Sequence, residues 1–156
     1  MRIAPIGVFY HDNPRRLREV AYKSSQITHA HQLGKEGAAL QAYAIALVTS
    51  LEPGLAFDQG DFLAKLLSYV PDGVYQEKLN RVEALLNRSD RDRVITELGN
   101  GIEAFNSVPT AINSFLSQPH SFAQAILYAI SLGGDTDTIG AMTGAISGAY
   151  LGFGSI

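Results

Sequence analysis

Apolar residues recur along this chain at three- and four-residue spacing, and no useful run alternates apolar with polar, so helices and not strands are the predicted elements. After a short extended lead-in, Asn13-Pro14 reads as a helix start, with Asn13 as N-cap and Pro14 at the first helical position. Leu17, Val20, Ala21, Ser24 and Ile27 continue it to a polar connection, Thr28-His29-Ala30-His31-Gln32-Leu33-Gly34. Residues 37–48 are apolar nearly all round, which predicts a buried helix and not an amphipathic surface one. Glu52-Pro53-Gly54 breaks the pattern, and Phe62, Leu63, Leu66, Leu67 and Val70 resume it up to Pro71-Asp72-Gly73. Tyr75, Leu79, Val82, Leu85 and Leu86 form a stripe with charge on the opposite side, an outer helix. Ser89 is the predicted start of a short helix with Asp90 and Asp92 in its first turn, and Gly99-Asn100-Gly101 stops it. Ser107-Val108-Pro109 reads as a cap followed by a first-turn proline, and Ser121 as the cap of a helix with almost no polar face.

The last helix is the most apolar. Residues 138–156 contain no Asp, Glu, Lys or Arg. At 100° per residue Ile139, Met142, Ile146 and Tyr150 make one stripe, Gly140, Gly144 and Gly148 a second, and Ala141, Ala145 and Ala149 a third. Such a helix is expected to be surrounded, with another helix backbone lying against its glycines. A membrane-spanning segment is the weaker reading, because the run is barely long enough and lacks a belt of aromatic or basic residues on one side. The expectation is an all-α fold, a compact bundle of about eight helices forming one domain over residues 1–156, with 37–48, 122–132 and 138–152 inside.

Composition narrows the function classes. A net charge of −3 and a pI of about 5.7 leave no basic footprint for nucleic acid or an anionic membrane. The absence of cysteine excludes thiolate metal sites, disulfides and a cysteine nucleophile. No signal peptide opens the chain, so a cytoplasmic location is the default expectation.

Two carboxylates, Asp135 and Asp137, stand at the mouth of the uncharged tail, where ionised groups are costly unless capped, paired or bound to a cation. One reading makes Asp135 an N-cap and Asp137 an acid favoured by the helix dipole. The other adds the Thr138 hydroxyl and sees an all-oxygen donor set for a hard divalent cation, Mg²⁺, Mn²⁺ or Ca²⁺. An EF-hand is excluded for want of the alternating ligands and the twelfth-position Glu.

The stretch Leu132-Gly133-Gly134-Asp135-Thr136-Asp137-Thr138-Ile139-Gly140 and the Gly/Ala helix after it resemble the C-terminal signature of the ADP-ribosylglycohydrolases. Ile27-Thr28-His29-Ala30-His31, Glu36-Gly37-Ala38 and Glu97-Leu98-Gly99-Asn100-Gly101-Ile102 follow the same family's order, and Met1-Arg2-Ile3-Ala4-Pro5 is also similar. The resemblance implies an all-α fold with two divalent ions, usually Mg²⁺ and alternatively Mn²⁺, in a cleft that takes an ADP-ribose-containing substrate. It assigns Asp135, Asp137 and Thr138 to the metal, His29 to the bound ADP-ribose, and Asn100, Gly101 and Ile102 to the loop beside its adenosine end. His31 is expected to be structural. No catalytic residue is singled out.

The family's remaining metal ligands, a Thr-Asp-Asp run, and its active-site acid belong to an N-terminal half, and no Asp-Asp pair occurs in this sequence. The resemblance therefore implies the C-terminal part of a larger domain, which alone shows little hydrolysis and needs the other half or self-association to cover an apolar face. The alternative is a non-catalytic α-helical module that binds ADP-ribose or a protein. A purely structural bundle is a third reading.

Overall fold

Local capping sets most of the helix starts. The structure, a computed structural model describing residues 2–51, 57–86 and 90–155, contains among these residues α-helices and no strand. In order they are α1 (Ala4–Phe9), α2 (Pro14–Gln26), α3 (Gln32–Thr49), α4 (Gln59–Tyr69), α5 (Val74–Leu85), α6 (Arg91–Leu98), α7 (Ala104–Ser117), α8 (Phe122–Ser131) and α9 (Thr136–Leu151), followed by a 3-10 turn, Phe153–Ser155. Asn13 accepts from Arg16 N at 3.0 Å and Ser121 from Gln124 N at 3.3 Å, as the sequence predicts. Asp58 and Asp90 cap α4 and α6 in the same way. The predicted break at Glu52-Pro53-Gly54 and the predicted start at Ser89 lie outside the described residues.

Three expected helix starts need correction. The lead-in is helical, not extended: Pro5 sits in the first turn of α1, and Gly7 lets that helix close on α3, where a Cβ would come within 2.6 Å of Ala42 O. Next, α3 begins at Gln32 and not near Gly37, because the His31 ring accepts Leu33 N at 3.2 Å and caps it. Last, Pro109 lies inside α7, whose N-cap is Glu103. A helix-interior proline costs about 3 kcal/mol, and burial of every residue over 107–116 outweighs it.

That burial also changes which helices are inside. α3, α7 and α9 form the centre, whereas α8 buries only Ala125 and Ala129 and leaves Leu127 and Ile130 largely exposed. The buried serines of α7 are not stranded: Ser107 donates to Glu103 O at 3.2 Å and Ser114 to Thr110 O at 2.8 Å, bonds back into the helix and its cap that hydropathy does not register. Gly140 and Gly144 of α9 pack on side chains, not on a backbone. A Cβ at Gly140 would lie 3.3 Å from Ile130, and one at Gly144 3.3 Å from Ile126. Ala141 is exposed, so α9 is not enclosed on every side. At its far end Tyr150 meets Phe57 and Phe115, ring centroids 5.1 and 5.9 Å apart, which anchors α9 to α7. The apolar side chains left in solvent are elsewhere, notably Phe9, Ile27 and Ile102. No helix among the described residues is long and apolar enough to cross a membrane.

Candidate functional site

Between α8 and α9 the chain turns through two successive glycines with positive φ, Gly133 at 69° and Gly134 at 68°. Asp135 then occupies the N-cap position of α9, yet its carboxylate makes no capping hydrogen bond. Thr138 N donates to Asp137 Oδ1 at 2.9 Å instead. The turn is held through backbone: Asp135 N donates to Asn100 O at 2.8 Å, and Asp135 O accepts Ile139 N at 3.0 Å. Asp135 thus keeps its carboxylate free of the duty that its position would normally impose.

The two carboxyls interact directly. Burial, then the hydrogen bond with Asp137, push the Asp135 carboxyl above its ordinary range, against a pull downward from Thr138. That same hydrogen bond, helped by the Thr138 N–H, holds Asp137 below the usual range. Among the described residues no Lys, Arg or His forms an ion pair with either. Like charges in contact without a basic partner are an arrangement that a bound cation relieves. The donors are all oxygen: Asp135 and Asp137 carboxylates and the Thr138 hydroxyl, one exposed, two half-buried. Such a set fits a hard divalent ion.

The loop after α6 supports this turn. Gly99 ends the helix at φ 82°, and Thr110 Oγ1 donates to its carbonyl at 2.6 Å. Asn100 Nδ2 donates to Leu132 O at 2.8 Å, so both the side chain and the carbonyl of Asn100 are joined to the acidic turn. Gly134 is required here twice over, since a Cβ would collide with Asn100 O and the positive φ disfavours other residues.

Beside the turn lies a cavity of about 120 Å³ whose lining includes Arg2, His29, Gln41, Ile102, Thr138 and Met142. The structure therefore brings three of the sequence-predicted site residues, His29, Ile102 and Thr138, into one cleft. Asp135, Asp137, Asn100 and Gly101 are not on its lining. The two aspartates stand in the acidic turn next to Thr138, Asn100 is hydrogen-bonded to that turn from the loop after α6, and Gly101 links Asn100 to Ile102. His29 Nδ1 is within 2.8 Å of Thr28 Oγ1, which leaves Nε2 for a ligand. Ile102, 81% exposed, presents an apolar face of the kind that lies against a flat ring. His31 caps α3, the structural role expected of it.

Sequence reasoning missed two lining residues. Arg2 donates to Ser24 O at 3.1 Å and Thr28 Oγ1 at 3.0 Å, holding the connection that carries His29. Gln41 is 1% exposed, donates to Met142 O at 3.0 Å, and has no partner for its Oε1. The signal for Gln41 was present: a single amide within the apolar run 37–48.

The family model for ADP-ribosylglycohydrolase matches residues 1–156. Human ADP-ribosylhydrolase ARH3 is 38% identical over 186 aligned positions, which cover 100% of this chain and 50% of the human protein. The mouse ADP-ribosylhydrolase ARH3 is 39% identical over 182 positions, 97% of this chain and 48% of the relative, and the Escherichia coli protein YegU is 32% identical over 169 positions, 100% and 50%. The chain spans about half the length of these relatives. A family match along the whole sequence, together with relatives more than 30% identical across the full chain, shows that this chain belongs to the ADP-ribosylglycohydrolase family.

Proposed function

We propose that this chain forms the cation-holding and nucleotide-facing part of a hydrolase that removes ADP-ribose from an ADP-ribosyl linkage. One observation carries the reading: Thr138, adjacent to a carboxylate pair that no basic side chain neutralises among the described residues, lines the same cleft as His29 and Ile102. The printed names of the relatives, ADP-ribosylhydrolases, support the reaction class.

Asp135, Asp137 and the Thr138 hydroxyl would hold Mg²⁺ or Mn²⁺, which when bound supplies charge that offsets the negative oxygens of ribose and of an incoming water. The chain's own residues bind and orient. Ile102 offers a surface for the adenine ring, and His29 Nε2 can donate to an oxygen of the ribose or pyrophosphate. Hydrolysis then adds water across the bond to the anomeric carbon, and fixing the ribose relative to the cation contributes by orientation. Two carboxylates are fewer than a two-ion centre needs, and among the described residues no group of three or more His, Asp or Glu gathers at one point. The remaining ligands and the acid that assists bond breaking are therefore assigned to polypeptide outside this sequence, in keeping with the half-length match.

The same shortage of ligands favours a second reading, a module that binds ADP-ribose without hydrolysing it. Melting curves of the 156-residue chain with ADP-ribose, with and without Mg²⁺, test the shared part of both. A rise in melting temperature that His29→Ala and Ile102→Ala each diminish is expected, and no response to ADP-ribose under either condition contradicts both readings. Release of ADP-ribose from an ADP-ribosylated protein by the purified chain alone, at a rate comparable to a complete enzyme, contradicts the partial-site assignment.

A further inference from the structure

Four successive carbonyls at and just beyond the end of α6 each receive a donor from another part of the fold. Glu97 O accepts Lys78 Nζ at 3.0 Å and Arg81 at 3.1 Å, Leu98 O accepts Lys78 Nζ at 2.7 Å, Gly99 O accepts Thr110 Oγ1 at 2.6 Å, and Asn100 O accepts Asp135 N at 2.8 Å. Donors on α5, α7 and α9 thus turn this loop into a rigid strut, an uncommon density of ties for a connection between helices. Its last member reaches back with its side chain as well. Leu132 O can only accept, so the Asn100 amide must present Nδ2 to it, at 2.8 Å. Asn100 consequently grips the acidic turn on both sides of the two glycines, at Leu132 before them and at Asp135 after them.

We propose that Asn100 is a positioning residue, which sets the direction of the Asp135 carboxylate by stapling the turn to the strut and acts on the site through Asp135. The assignment rests on the reading of Asp135, Asp137 and Thr138 as the cation-holding group. It explains why Asp135 is not needed as a side-chain cap: the staple already fixes the start of α9. It also makes the loop that carries Ile102 and the turn that carries Asp135 a single mechanical unit.

The test pairs amide hydrogen exchange with Mg²⁺ titration of the 156-residue chain, in the wild type, Asn100→Ala and Asn100→Asp. Asn100→Asp keeps the shape and turns a carboxylate oxygen toward Leu132 O. Both variants are expected to speed exchange of the Asp135 amide about tenfold and to weaken Mg²⁺ binding about tenfold, the size of one lost hydrogen bond. Amides in the centre of the fold, such as those of Leu40 and Ile112, should keep their wild-type rates. Wild-type exchange at Asp135 in Asn100→Asp overturns the proposal, as does a uniform acceleration across the core, which marks a general stabilising role. Weaker ADP-ribose binding without Mg²⁺ and with Asp135 protection intact also overturns it, by assigning Asn100 to the ligand. Absence of any Mg²⁺ response in the wild type counts instead against the cation reading, and the exchange rates then decide the staple by themselves.

Discussion

Gly134 is the residue on which the geometry of the acidic turn depends most. An L side chain there meets two penalties, a left-handed backbone costing about 1–2 kcal/mol and a collision with Asn100 O. Gly134→Ala is expected to destabilise the chain by about 2–4 kcal/mol, read from urea denaturation, and a loss well under 1 kcal/mol would contradict the described turn. Asp137 behaves differently, because it is exposed and its substitution creates no cavity. Asp137→Asn should remove the repulsion with Asp135, so the melting temperature without Mg²⁺ should hold or rise while the Mg²⁺-dependent increase disappears. Equal Mg²⁺ responses in variant and wild type would remove Asp137 from the ligand set. The carboxylate pair was legible in the sequence because charge at the edge of an apolar run needs a reason. That Asn100, 35 positions earlier, takes over the fixing of Asp135 was not legible, since both of its hydrogen bonds to the turn end on backbone atoms and the partners leave no residue-type signature.

Among the elements, α5 shows how an outer helix serves the site. Lys78 is half-buried on it and spends its charge on the terminal carbonyls of α6 and on Asn106 Oδ1. Burial, then Arg81, lower its pKa from the ordinary lysine value, against a smaller upward pull from Glu97. A depressed folded pKa means that the unfolded chain binds more protons in the interval between that value and the usual one near 10.5. Stability contributed by this group therefore rises with pH across that alkaline interval. Lys78→Met should abolish that rise and, by freeing the α6 carbonyls, cost about 1–2 kcal/mol near neutral pH. An unchanged alkaline stability profile in the variant would rule out Lys78 as its source. Helices α2, α4 and α5 were readable from their stripes, and α2 from its cap as well, because each has one wet side. The centre was harder: α8 looked more buried than α7 because hydropathy counts Leu127 and Ile130 as core and Ser107, Thr110 and Ser114 as surface. Position in the bundle reverses both, with the α7 hydroxyls satisfied within the fold. Pro109 misled for a related reason, since a helix-starting signal is overridden where packing on all sides outweighs a missing N–H.

For the whole molecule, the large apolar side chains left in solvent are the unfinished part. Phe9 is 75% exposed, Ile27 87% and Ile102 81%, and the chain matches only about half of each relative. Much of the surface expected from the sequence to need a partner is covered within the chain, since most of residues 37–48 are buried and Gly140 and Gly144 of α9 lie against α8. Static light scattering of the 156-residue chain at tens of micromolar should show association, or marked binding of an apolar dye. A dye-silent monomer would show that these side chains are too scattered to act as one surface. The claim on which everything functional depends is that the carboxylate pair at the head of α9 holds a hard divalent ion facing the nucleotide cleft. Isothermal calorimetry of Mg²⁺ and then ADP-ribose into wild type and Asp137→Ala tests it most directly. The account predicts a saturable Mg²⁺ signal that strengthens ADP-ribose binding in the wild type and is lost in the variant, and identical titrations of the two proteins would contradict it.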